Sequence, residues 1–161
     1  MKHLPFLAVL LCLAATPCIF ATPSVAADLT AVGQGAADQD QCFGPMTQTG
    51  NLKAYEACLK QLDAAHAGTP ETKASYSVGL YFQGWSMANL VAAGADKDLF
   101  PEISKRSKAK PERQLAMRLF DKFRGLQKKL KISDDALAKS AGYELAAVQP
   151  HLDYYDKLPK K

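Results

Sequence analysis

Few residues in this chain carry chemistry at a spacing that would let them work together. The two histidines beyond the extreme N-terminus, His66 and His151, are 85 positions apart, and nothing in the sequence links them as a metal pair or as base and partner. Cys42 and Cys58 form no CxxC redox motif, and two thiolates alone are too few for a structural zinc, which wants four ligands. Met46, Met87 and Met117 are too scattered for a thioether copper site. No GxSxG, HExxH, CxxCH or phosphate-cradling glycine loop is present. The sequence therefore names no catalytic, cofactor-binding or metal-binding residue and implies no cofactor. Asp134 and Asp135 fit a helix start better than an acid–base pair, and Asp153 and Asp156 are an ordinary helical spacing.

Charge is the stronger signal. Lys105, Arg106, Lys108, Lys110, Arg113, Arg118, Lys122, Arg124, Lys128, Lys129 and Lys131 make eleven basic residues, against Glu112 and Asp121 only. Such a run raises the local concentration of anionic partners. It is the candidate partner-binding face, although charge opposite an apolar stripe also serves simply to solvate a helix. The bias is regional: residues 28–100 hold four basic and eight acidic residues, and residues 101–161 hold fifteen and eight.

The address of the protein is read from its first 27 residues. Lys2 and His3 precede an apolar run from Leu4 to Phe20, and Val25-Ala26-Ala27 offers a cleavage site before Asp28. This is the pattern of a bacterial secretory signal peptide, expected to send residues 28–161 to the periplasm; retention as an anchor is the alternative. Neither Cys12 nor Cys18 follows the small residue of a lipoprotein signal. In an oxidising compartment Cys42 and Cys58 are expected to form one disulfide.

The element that must organise the fold is residues 70–93. Thr69-Pro70 is a helix start, with a capping hydroxyl and a proline at the first helical position. Gly94 suits the left-handed position after the end. From Ala74 to Ala95 there is no charge, and the chain's only Trp lies inside. Apolar residues surround such a helix almost completely: Tyr76, Leu80, Met87, Leu90 and Val91 on one side, Val78, Tyr81, Phe82 and Trp85 on much of the other. That predicts a buried core helix. A membrane span fits the length, but Ser75, Ser77, Gln83, Ser86 and Asn89 would need partners in lipid. Ser75, Gly79, Ser86 and Ala93 form a stripe of small residues open to close approach by another backbone. Gly84 marks a place where the helix could break.

Around it the periodicity predicts shorter helices. Residues 28–48 read as a largely irregular lead-in, with room for a short helical turn near Ala36 to Gln41 and a turn at Cys42-Phe43-Gly44-Pro45. Residues 51–67 are an amphipathic helix capped by Asn51, joined to helix 70–93 as a hairpin. Residues 95–110 are a connector, and residues 111–131 a strong helix with Leu115, Leu119, Phe120, Phe123, Leu126 and Leu130 on one stripe. Ser133 caps another helix, which Gly142 is expected to interrupt and Pro150 to end or kink. His151 to Leu158 reads as a short final helix, before a frayed tail at 159–161. Tyr143, Tyr154 and Tyr155 are expected as exposed interface aromatics. The fold class is all-α: a compact bundle of four to five helices around residues 70–93, built from helical hairpins, with one domain over 49–158 and one disulfide.

Three short resemblances accompany this reading. Ala74-Ser-Tyr-Ser-Val-Gly79-Leu-Tyr-Phe-Gln-Gly84 resembles the core of a Sel1-type helical repeat, with the second glycine one residue early and no second copy. The same stretch, in an exported helical chain with two cysteines, is similar to periplasmic immunity proteins that neutralise toxins. That family carries a cysteine near this tyrosine where this chain has Ser77. Ile132-Ser-Asp-Asp-Ala-Leu-Ala-Lys-Ser-Ala-Gly142-Tyr resembles the first half of a helix-turn-helix, but export argues against a DNA reader, so a helical hairpin is expected. Each covers about a dozen residues.

These observations lead to an exported, non-enzymatic helical protein that binds another macromolecule, with a protein or toxin-type target as the expected partner. The alternative is an envelope-surface binder that holds anionic lipid or lipopolysaccharide through the basic run. The third is an enzyme, which would need His66 or His151 beside a carboxylate in a cleft. Nucleic acid is not expected outside the cell interior, and no small-molecule substrate is indicated.

Overall fold

The computed structural model describes residues 27–94 and 110–159. Residues 1–26, the connector with Lys105, Arg106 and Lys108, and the last two lysines lie outside the described residues. Among the described residues the protein is all-α, with no strand. The helices are α1 (Leu29–Asp38), α2 (Phe43–Thr49), α3 (Leu52–Ala65), α4 (Pro70–Ala92), α5 (Lys110–Lys129), α6 (Asp134–Ser140) and α7 (Leu145–Asp156), with a 3-10 turn at Gln39–Cys42.

The long apolar helix α4 is the centre of the bundle, packed between α1 and α5. Thr69 caps it by accepting from the Thr72 N–H, and Gly94 follows its end at φ +66°. It runs unbroken through Gly84. There the space a side chain would fill is taken by the Leu59 and Leu119 methyls and the Tyr55 hydroxyl. Tyr76, Tyr81, Phe82 and Trp85 are all buried. Trp85 lies against Phe82, Phe120, Phe123 and Tyr155, with ring centroids 5.5–5.7 Å apart. No described helix is long and apolar enough to cross a membrane.

The expected irregular lead-in is instead helical. Asp28 caps α1 by accepting from the Ala31 N–H at 3.0 Å, and its own N–H donates to Ser75 Oγ on α4 at 3.0 Å. Helix α1 is rich in glycine and alanine because it touches α4 backbone to backbone. A Cβ on Gly79 would lie 1.8 Å from the Val32 carbonyl oxygen, and one on Gly35 would lie 2.1 Å from that of Tyr76. The small residues that argue against a helix on propensity are those that let two helices approach this closely. Cys42 and Cys58 are bonded, fastening the 3-10 turn to α3.

The apolar stripe of α5 faces α4, with Leu115, Leu119, Phe120, Phe123 and Leu130 buried. The helix closes with Lys131 in the left-handed region at φ 55°, the Ile132 N–H donating to the Gln127 carbonyl at 3.1 Å. This is the six-residue Schellman closure, and it sets the short path into α6, which Ser133 caps. Gly142, at φ 81°, turns the chain between α6 and α7. Pro150 does not end a helix as expected: α7 continues through it, anchored by buried Val148, Leu152 and Tyr155.

Candidate binding face

Helix α5 carries seven of the eleven residues of the basic run, and four carboxylates from other elements reach onto it. Arg118 donates to Glu56 of α3 at 2.8 Å, and the guanidinium holds the Glu56 carboxyl below its ordinary range. Lys60 reaches the same carboxylate at 3.2 Å. Lys122 lies 3.3 Å from Asp63 and 3.7 Å from the centre of the Tyr81 ring. Arg124, largely buried, donates to both Asp134 and Asp156 and to Gln127 Oε1 at 2.8 Å. Burial works to raise the Asp134 carboxyl, and hydrogen bonds from Arg124 and Gln127 outweigh it, leaving it lowered. Lys128 lies 3.8 Å from Asp156. Arg113 donates to the Tyr154 hydroxyl and stands 5.5 Å from that ring's centre. Lys129 and Lys131 are exposed and have no ion-pair partner among the described residues. Lys110 opens α5.

The basic residues are therefore not one open patch. Helix α5 carries seven basic and two acidic residues, and Glu56, Asp63, Asp134 and Asp156 answer Arg118, Lys122, Arg124 and Lys128. That set keeps a single net positive charge. Sequence reasoning saw the cations but missed these partners; the charge asymmetry signals Glu56 and Asp63, from the acidic first half, whereas Asp134 and Asp156 lie in the basic second half.

Asp63 gathers a second polar cluster. Its carboxylate accepts from Ser77 Oγ and, at 2.9 Å, from the Tyr81 hydroxyl. Burial, reinforced by Asp63, pushes the Tyr81 phenol far up, so Tyr81 stays a donor. Ser77 is buried with its hydroxyl committed to Asp63.

The histidines are separate. His66 ends α3 and stacks on Tyr76, centroids 3.7 Å apart and planes 3° from parallel. Tyr76 in turn donates to Asp38 at 3.0 Å. His151 is exposed on α7, its Nδ1 3.3 Å from Asn89 Nδ2. Among the described residues neither ring has a carboxylate as hydrogen-bond partner. Among the described residues, no group of three His, Cys, Asp or Glu is placed to hold a metal.

The three expected interface tyrosines divide. Tyr155 is buried, because it closes the aromatic cluster on Trp85 and Phe120, and burial pushes its phenol up to about 12. Tyr143 is half-buried, edge-on to Phe82 at 5.9 Å. Tyr154 alone is well exposed, at 47%.

A half-open cleft of about 240 Å³ lies where α5 meets the end of α7. Phe120, Tyr155, Met117, Leu158 and Pro159 line it with apolar surface, and Gln114, Arg118 and Asp121 supply its polar groups. The α5 contributors recur at three- and four-residue spacing, so one helix edge makes one wall. Sequence reasoning did not find this cleft, since it requires Tyr155 of α7 to lie against Phe120 of α5. Comparison with protein-family models, curated proteins and solved structures returns no match.

Proposed function

We propose that this chain is an exported, non-enzymatic binding protein whose contact face is the edge of α5 beside α7, and that its partner is a protein. The observation that carries this is the cleft itself: apolar surface from both helices, polar groups beside it, and no committed nucleophile–base pair within it. Exposed tyrosine and arginine are the residue types enriched at protein interfaces, and the Arg113–Tyr154 pair bridges the same two helices. The size also favours a macromolecule. Small-molecule sites occupy roughly 300–1,000 Å³ and enclose most of their ligand, whereas this cleft is smaller and half open.

The internal pairing of α5 weighs against the lipid reading. Binding to anionic lipid grows with uncompensated charge near the surface, and Arg118, Lys122, Arg124 and Lys128 of this helix are already answered by carboxylates. Affinity capture with residues 28–161 from cross-linked envelope extract tests the proposal, with Met117→Asp as the cleft variant. One protein recovered in near-equal amount by the wild type and lost with the variant is the expected result. Recovery of lipid or lipopolysaccharide alone would replace this reading with the surface-binding one.

A further inference from the structure

We infer that the cleft takes a single large apolar side chain of its partner with a lysine or arginine beside it. This rests on the binding-protein reading and specifies what that site recognises. The volume, about 240 Å³, suits one bulky side chain, and Phe120, Tyr155 and Met117 offer it aromatic and thioether contact. The charge requirement comes from the polar groups beside that surface. Arg118 is turned to Glu56, with its guanidinium donating at 2.8 and 3.4 Å. Asp121, one turn further along α5, is exposed and has no ion-pair or hydrogen-bond partner among the described residues. The cleft thus offers an incoming segment one uncommitted carboxylate and one arginine already neutralised. A cation next to the apolar anchor completes that arrangement, and a carboxylate there would meet Asp121 as a like charge.

Trp85 makes the site readable. It is the chain's only tryptophan, and it packs on Phe120 and Tyr155, both of which line the cleft. The probes are acetyl-Arg-Phe-amide and acetyl-Glu-Phe-amide, titrated while Trp85 fluorescence and the Met117 methyl NMR signal are followed. Both signals are expected to saturate, with the arginine peptide bound about three- to fivefold more tightly, the worth of one exposed ion pair. Asp121→Asn, at an exposed position that leaves the fold intact, is expected to abolish that preference. Equal affinity of the two peptides for the wild type, or a Met117 signal that neither moves, would overturn the inference. A concentration-dependent dimer that Met117→Asp dissolves would assign the cleft to a second copy and overturn it as well. Failure here alongside a Met117-dependent captured protein would leave the binding-protein reading standing. Peptide preference without any captured protein would remove that reading instead.

Discussion

Arg124 does more structural work than any other charged residue described. It joins α5 to the first turn of α6 through Asp134 and to the end of α7 through Asp156. Its side chain is only 12% exposed, so removing it would leave two partly buried carboxylates with weaker support, Asp134 from Gln127 and Asp156 from Lys128. Arg124→Met is expected to cost about 2–4 kcal/mol, the range for breaking such a pair from one side, measured by urea denaturation. The pH dependence follows from the same contacts. Asp134 and Glu56 are lowered in the fold, so the stability they confer is complete above the unfolded carboxyl value of about 4. It is lost as pH falls through their lower folded values. The Arg124→Met variant is expected to show a flatter decline as pH falls below the unfolded carboxyl value, and an unchanged slope would show that Asp134 is held by something else.

Helix α1 against α4 decides how well the elements could be read from sequence. The stripe Ser75, Gly79, Ser86 and Ala93 announces close approach by another backbone, and at Gly79 that backbone is α1. The partner was hidden because Gly33 and Gly35 look like loop residues until α4 is placed beneath them. The two ends of α4 were legible, since Thr69, Pro70 and Gly94 are local signals that need no tertiary partner, but its continuity through Gly84 was not. Helix α7 was not, because Pro150 argues locally for a boundary and only packing of Val148, Leu152 and Tyr155 overrides it.

Two glycines make the packing argument testable. Gly79→Ala must push α1 and α4 apart and is expected to cost about 2 kcal/mol or more despite alanine's better helix propensity. Gly125→Ala has nothing within 4 Å of the new methyl. It is expected to gain up to about 1 kcal/mol from propensity alone. Thermal or urea unfolding of the two variants distinguishes them by sign. The Cys42–Cys58 bond closes a short loop across a sequence separation of 16. Reduction is expected to cost about 3 kcal/mol in the chain-entropy model, read as a lower urea midpoint in the presence of reductant.

At the scale of the molecule, the division into an acidic first half and a basic second half is resolved inside the fold. Glu56 and Asp63 come from the first half, and Arg118 and Lys122 from the second. The basic run was legible as composition, but its function as a face was not, because ion pairing depends on which helices lie side by side. Once those pairs are formed, the surface feature that stands out is the cleft where α5 meets α7, with exposed Tyr154 and Arg113 bridging the same two helices. Substituting the exposed lysines Lys129 and Lys131 is accordingly expected to change partner affinity less than substituting Met117.

The most direct test is capture from cross-linked envelope extract by residues 28–161, run in parallel for the wild type and Met117→Asp, with matched circular dichroism spectra to establish equal folding. The account predicts one protein at near-equal amount with the wild type and its loss with the variant. The same protein recovered equally by both, or anionic lipid recovered with no protein, would contradict it.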